Sequence, residues 1–335
     1  MSATALLLLQ VAGAGAGPTV RTEPLPGVRN GHALFYDAIR REVILFGGAD
    51  HTRVRGDTWS WQGSSWRLLT EIGPSPRTFP ASASDPDSGT GFLFGGNRVL
   101  FGTDASRDTF LADLWTWQDT RWTRQPSAGP APAARAEAAM AYDTRRRRLV
   151  LFGGYSRTNG VTTRFGDTWE WDGRHWSRAS DRGPTPRNGA AMAYDPVRGV
   201  SVLFGGSDGT ASGETWEWDG ADWTRSDVAL ADPRFNTVMW YDPATKRLMR
   251  FGGWYDGRRW GDTWEGDGTR WTRTLASGPS PRNHAAVAYD LGRQRAVLVG
   301  GHDGDQVFGD VWEWQRGRWR EVARAAPMLR ADNGH

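Results

Sequence analysis

Polar and apolar positions along this chain follow a short repeated rhythm. One segment of small and apolar residues ends in Tyr-Asp, as in 32–37 (HALFYD). A second apolar segment ends at paired glycines, as in 43–48 (VILFGG). A third alternates Trp with a polar residue, as in 58–61 (TWSW), and a period of two sets both indoles on one face. A fourth begins at a further Trp, seven residues beyond the first. The pattern predicts four strands, here called A to D. Turn chemistry marks the joints: Asp195-Pro196 and Asp242-Pro243 between A and B, Asp172-Gly173 and Asp219-Gly220 between C and D.

The rhythm occurs six times. Each copy starts at an arginine: Arg29, Arg77, Arg135, Arg187, Arg234 and Arg282. An aspartate always follows eight residues later, and the glycine doublet ten residues after that. The Trp block is equally rigid, opening on Asp57, Asp113, Asp167, Glu214, Asp262 and Asp310. Length varies only between these blocks, as expected of strands joined by variable loops. Repeats of this kind predict one supersecondary unit per copy.

This set of motifs resembles the Kelch repeat, in the Asp-Thr-Trp variety common in bacterial propellers. The resemblance spans residues 29–325. It implies an all-β fold, a six-bladed Kelch-type β-propeller with four antiparallel strands per blade, akin to the central domain of galactose oxidase. Copy two departs most, with Ser84 in place of the Tyr and Phe79-Pro80 interrupting strand A; copy five has Gly266 for the second Trp. Galactose oxidase needs a cysteine linked to tyrosine, and this chain has no cysteine.

Composition narrows the chemistry. The absence of cysteine excludes disulfides, thiolate metal sites and cysteine nucleophiles. Of the 20 tryptophans, seventeen hold repeated positions. Burying one at ~200 Å² and ~25 cal/mol/Å² contributes roughly 5 kcal/mol before entropy, which assigns them to the core rather than to sugar platforms. The formal net charge is +3 with a pI of about 9.5, and Lys246 is the sole lysine. Arg and Asp/Glu alternate along the chain, so no basic face for nucleic acid is expected. No apolar run reaches the ~20 residues of a membrane span. Residues 1–17 read as a signal peptide without its basic start, or as a disordered leader. The first reading places the protein outside the cell or in the periplasm, the second in the cytoplasm. Residues 18–28 are expected to help close the ring, and 326–335 form a tail that echoes the start of a repeat.

Candidate binding residues follow from the topology. Antiparallel strands send the D–A and B–C connections to one face, with the six arginines around that mouth. The arginines have two readings. They form an anion-binding ring, or each pairs internally with the acid that opens strand C in its own blade, ~9.6 Å away across two strand spacings. A ligand site should differ between blades, which directs attention to Trp254, Tyr255 and Trp260 in the B–C loop of blade five and to Tyr155 in blade three. Packing beneath a loop explains the same residues. His51, His302 and Asp303 lie on B–C loops of blades that adjoin on closure, and form a weak metal candidate against ordinary loop residues. Gly205–Gly209 fits G-x-S-x-G, but no helix follows as a nucleophile elbow requires. No cofactor motif is present. The expected function is a non-catalytic, monomeric binding scaffold for a protein or glycan. The alternatives are a periplasmic sugar-modifying enzyme of the sialic-acid mutarotase type and a structural module of a larger extracellular complex.

Overall fold

The computed structural model describes residues 25–325 other than 101–108, 227–231 and 269, together with the backbone of Met328–Leu329. The leader, most of the expected closing segment, the centre of the blade-two B–C loop and most of the tail lie outside the described residues. Among the described residues there is no α-helix, and no helix long and apolar enough to cross a membrane.

Six four-stranded antiparallel sheets stand around an axis. Blade one comprises strands Ala33–Asp37, Glu42–Phe46, Thr58–Trp61 and Trp66–Thr70. Blade six comprises Ala286–Asp290, Arg295–Val299, Val311–Gln315 and Arg318–Ala323. Every blade is built from one continuous stretch of chain in the order A-B-C-D, with strand A innermost and each A strand against its neighbours in cyclic order. The protein is a six-bladed β-propeller.

Strand B is the most buried element because blades pack on both of its faces. Val43, Ile44, Leu45 and Phe46 have no exposed surface, nor do Leu149–Phe152. The tryptophans wedge adjacent blades. Trp122, which opens strand D of blade two, donates its indole N–H to Thr58 of blade one at 2.9 Å and meets Phe46 edge-on at 5.2 Å. Trp223, Trp271 and Trp319 make the same bond to Thr168, Thr215 and Thr263. No tryptophan is fully exposed.

The glycine doublets have a specific cause. The second glycine of each doublet donates to the backbone carbonyl of the next blade's opening arginine, Gly206 to Arg234 at 2.9 Å for example. The first lies so close that a Cβ on Gly205 would sit 2.3 Å from that same carbonyl, and its φ is +71°. Only glycine satisfies both demands. Blades six and one are joined by the same stitch, Gly301 to Arg29 at 3.0 Å.

A second circuit surrounds the axis. The residue two after each arginine has positive φ: Gly31, Phe79, Glu137, Gly189, Asn236 and His284. Their peptides bond head to tail, Phe79 N–H to Gly31 O at 2.7 Å, then Glu137 to Phe79, Gly189 to Glu137, Asn236 to Gly189 and His284 to Asn236. Gly31 N–H to His284 O at 2.9 Å closes the circle. Positive φ at Phe79 is sterically unfavourable and persists because six bonds over-determine it.

Candidate functional site at the loop mouth

The opening arginines lie inside the wall of the propeller. Arg29, Arg77, Arg135, Arg187, Arg234 and Arg282 are all 0–3% exposed. Arg77, Arg135, Arg234 and Arg282 each grip their strand-C aspartate through both fork nitrogens at 2.6–3.1 Å. Arg29 does the same with Asp57, and Arg187 reaches Glu214 at 2.9 Å. The remaining fork donor turns to the first glycine carbonyl of the same blade, Arg135 to Gly153 at 3.0 Å for instance. The same acids accept the first indole of strand C, as Asp167 does from Trp169 at 2.7 Å. Burial pushes the carboxyls of Asp57, Asp113, Asp167, Asp262 and Glu214 upward. The arginine fork and indole bond outweigh it, and each is held below the ordinary carboxylate range. The forks are filled by protein carboxylates, so the ring offers no free guanidinium to an incoming anion. The mutarotase-like reading drew on arginines converging at this mouth and loses that support.

Trp260 also belongs to the repeated frame. It ends the B–C loop, where the other copies have Arg55, Leu111, Phe165, Ser212 and Phe308. The three aromatic residues among them cap the buried forks: Arg234 lies 4.2 Å from the Trp260 ring centre, Arg135 3.9 Å from Phe165, Arg282 4.1 Å from Phe308. On its other face Trp260 stacks with Arg258 at 3.6 Å.

Tyr155, Trp254 and His302 prove equivalent. Each directly follows a glycine doublet and pairs with the residue after an opening arginine, in the bridges Ala136–Tyr155, Phe235–Trp254 and Asn283–His302. The other copies have Ala49, Asn97 and Ser207. Tyr155 leads a hairpin, Tyr155–Thr158 with Val161–Arg164, and meets Phe110 edge-on at 5.3 Å. Trp254–Tyr255 pairs with Arg258–Arg259, and Trp254 packs on Phe235 at 5.1 Å. Both hairpins rise from the loop face, and Tyr155, Trp254 and Tyr255 are half-buried there.

The metal candidate does not assemble. His302 turns inward to His284, with Nε2 3.0 Å from Nδ1, and Asp303 folds its carboxylate onto the N–H groups of Asp305 and Gln306. Among the described residues no three His, Cys, Asp or Glu side chains group around a common point as ligands would.

Sequence reasoning missed the axial cluster. Glu137 on blade three and His284 on blade six come from opposite blades and meet across the axis, Oε1 to Nε2 at 3.3 Å. Phe79 packs on His284 at 4.6 Å. Asn188 donates to the other Glu137 oxygen at 2.6 Å and accepts from Arg164 Nε at 2.9 Å. Burial, with His284 and Arg259 close by, lowers His302 to about 2, so it is neutral. A carboxylate only accepts. The His284 Nε2–H therefore points to Glu137. Glycines complete the cluster: a Cβ on Gly31 would lie 2.5 Å from the Phe79 ring, and one on Gly189 2.3 Å from Asn236. The available signal was the failure of this position to repeat. The cluster, with the residue that follows each of its members, lines a polar well of about 130 Å³. Its carboxylate–imidazole pair can hold a proton. The sole hydroxyl lining the well among the described residues, on Thr237, is engaged by the Phe251 carbonyl at 2.8 Å.

No known family's sequence model matches this chain. It is similar to dynein regulatory complex subunit 7 of Chlamydomonas reinhardtii, being 32% identical over 121 residues. That covers 33% of this chain and 10% of the relative, so the chain spans about a tenth of the relative's length.

Proposed function

We propose that the chain is a Kelch-type binding scaffold without catalytic activity, engaging a protein or glycan through its loop mouth. One contrast carries the reading. The arginine–acid layer repeats in every blade, whereas the positions directly above it differ from blade to blade: Ala49, Asn97, Tyr155, Ser207, Trp254 and His302. A structural role calls for sameness around the ring, and recognition calls for difference. Half-buried aromatic rings next to exposed Arg258 are typical anchors of interfaces and of stacked sugars.

A protein partner is supported further by the relative, whose name makes it a subunit of a protein complex. On that reading the propeller is a structural module within an assembly. Export, if it occurs, would favour a glycan. A glycan array and a pull-down from native extract, each with wild type and a Tyr155→Ala/Trp254→Ala variant, test the proposal. A ligand retained by wild type and lost by the variant supports it. Equal retention by both, with an unchanged melting curve, removes the loop mouth from consideration. Turnover of a sugar anomer by the purified chain would replace the scaffold with an enzyme.

A further inference from the structure

The A–B turns surround the opposite mouth of the channel. There the tyrosine of each Tyr-Asp pair reaches the aspartate of the preceding blade. Tyr289 donates to Asp242 at 3.3 Å, and Tyr36 lies between the Asp290 carboxylate and Gly292 N–H, which it accepts at 2.9 Å. Tyr142 is raised to about 12 by burial and by Asp85. Blade two breaks the series. Ser84 cannot span to Asp37, which accepts the Trp117 indole at 3.3 Å instead.

Blade two therefore presents a serine where the other blades present a phenol. A cavity of about 460 Å³ fills this half of the channel, bounded on blade two by Ser82, Ala83 and Ser84. The facing blades contribute Met140, Met192, Met239 and Trp240. The volume lies within the ~300–1,000 Å³ of ligand pockets, and methionines adapt to irregular apolar shapes. The Glu137–His284 pair crosses the axis between this cavity and the loop mouth.

The rim adds charge. Arg145 lines the entrance, is exposed, and has no carboxylate within 4.0 Å among the described residues. Its guanidinium lies across Gly199 of the next blade, where a Cβ would sit 2.4 Å from it. Ser84 Oγ has no hydrogen-bond partner among the described residues. Asp87 is exposed on the same rim and opposes an anion. On the turns, Arg146, Arg198, Arg247 and Arg295 are paired with Glu170, Glu217, Asp267 and Glu313, so Arg145 differs from them in lacking a carboxylate partner among the described residues. An unpaired guanidinium at the edge of a low-dielectric cavity favours a negative ligand. Exposed Ile39, Val197 and Leu291 stand on these turns and extend the apolar lining outward.

The geometry points to a binding site for a small amphipathic carboxylate, its apolar body against the methionines and Trp240 and its head at Arg145 on the rim. This site is independent of the loop-mouth proposal and stands or falls separately.

Titration of the full chain with naphthoate and with naphthalenemethanol, its neutral counterpart, followed by calorimetry, tests the assignment. Naphthoate is expected to bind once per chain, at least tenfold tighter than the alcohol. Arg145→Gln removes that preference, and Asp87→Asn strengthens naphthoate binding. Ser84→Tyr, which installs the side chain of the other five blades, abolishes binding without lowering the melting temperature. Trp254→Ala, at the other mouth, leaves binding unchanged. No saturable naphthoate binding up to about 1 mM, equal affinity for the alcohol, or wild-type binding by folded Ser84→Tyr would each overturn it. If Ser84→Tyr does not fold, loss of the carboxylate preference in Arg145→Gln decides.

Discussion

Removing the charge of Asp262 should be among the most damaging single changes in the propeller wall. Asp262 and Arg234 have side chains 2% and 0% exposed, and their fork contacts are 2.6 and 3.1 Å. At an effective dielectric of about 20, the Coulomb attraction at the shorter distance is ~6 kcal/mol. Desolvation of both groups cancels part of this, and breaking a buried pair from one side costs about 3–5 kcal/mol because the surviving charge is stranded. Asp262→Asn leaves Arg234 with the Gly252 carbonyl at 3.3 Å and the exposed Asp232 carboxylate at 3.5 Å. Replacing both partners, Arg234→Met with Asp262→Leu, leaves no buried charge unpaired, only the Trp264 indole N–H without its acceptor, and should cost less than Asp262→Asn alone. The cycle of Arg234→Met, Asp262→Leu and their double variant should show coupling of ~2 kcal/mol or more. Urea unfolding at neutral pH measures each variant, with an unchanged m-value required. The exposed pair Arg324–Glu321 serves as the control, and Glu321→Gln should leave the midpoint in place. The reasoning fails if Asp262→Asn moves the midpoint no further than Glu321→Gln, or if the double variant loses the sum of the two single losses.

Acid should unfold the ring cooperatively. Asp57, Asp113, Asp167, Asp262 and Glu214 have folded pKa values below their unfolded ones, so their contribution is complete above about pH 4 and disappears as pH falls through the folded values. Tryptophan fluorescence unchanged down to about pH 2 would contradict this. Gly205→Ala should cost at least ~2 kcal/mol more than Gly257→Ala, because both have positive φ but only the first meets the Arg234 carbonyl; equal chemical-denaturation midpoints would refute the backbone account. Arg250 is 1% exposed and is lowered to about 9 by burial and by Arg234. It rests on Phe204, Trp264 and Trp271 at 4.2–5.2 Å, and no carboxylate pairs with it among the described residues. Arg250→Met should therefore stabilise the fold by ~1 kcal/mol or more, and a lower melting temperature would show that the aromatic cage outweighs the cost of burial.

The blade plan was legible because it is local. Strand alternation, Tyr-Asp ends, glycine doublets and Trp-x-Trp blocks lie within one copy and recur at fixed spacing, and together they specify four antiparallel strands per blade and a tryptophan core. The arginine–acid pairs were legible as one of two readings, since six of each face the same mouth of the propeller. Which reading applied depended on burial, which spacing does not report. Trp260 looked distinctive in sequence, yet the loop register places it at the repeated cap of an arginine fork.

Closure decided the rest. Glu137 and His284 are 147 residues apart and share nothing in sequence except their offset from an arginine. They meet because a ring of six blades turns that offset into a single axis. Six identical side chains cannot all occupy one axis, so the copies must differ there, and two glycines make room for the side chains beside them. Likewise Ser84 is one small substitution in a row of tyrosines, and only the closed ring sets it on the wall of a cavity shared by all six blades. The chain's own periodicity determined the blades, their order and their core. What lies on the axis, and which mouth is open, was decided by packing the copies into a circle, where distant residues are forced to share the same space.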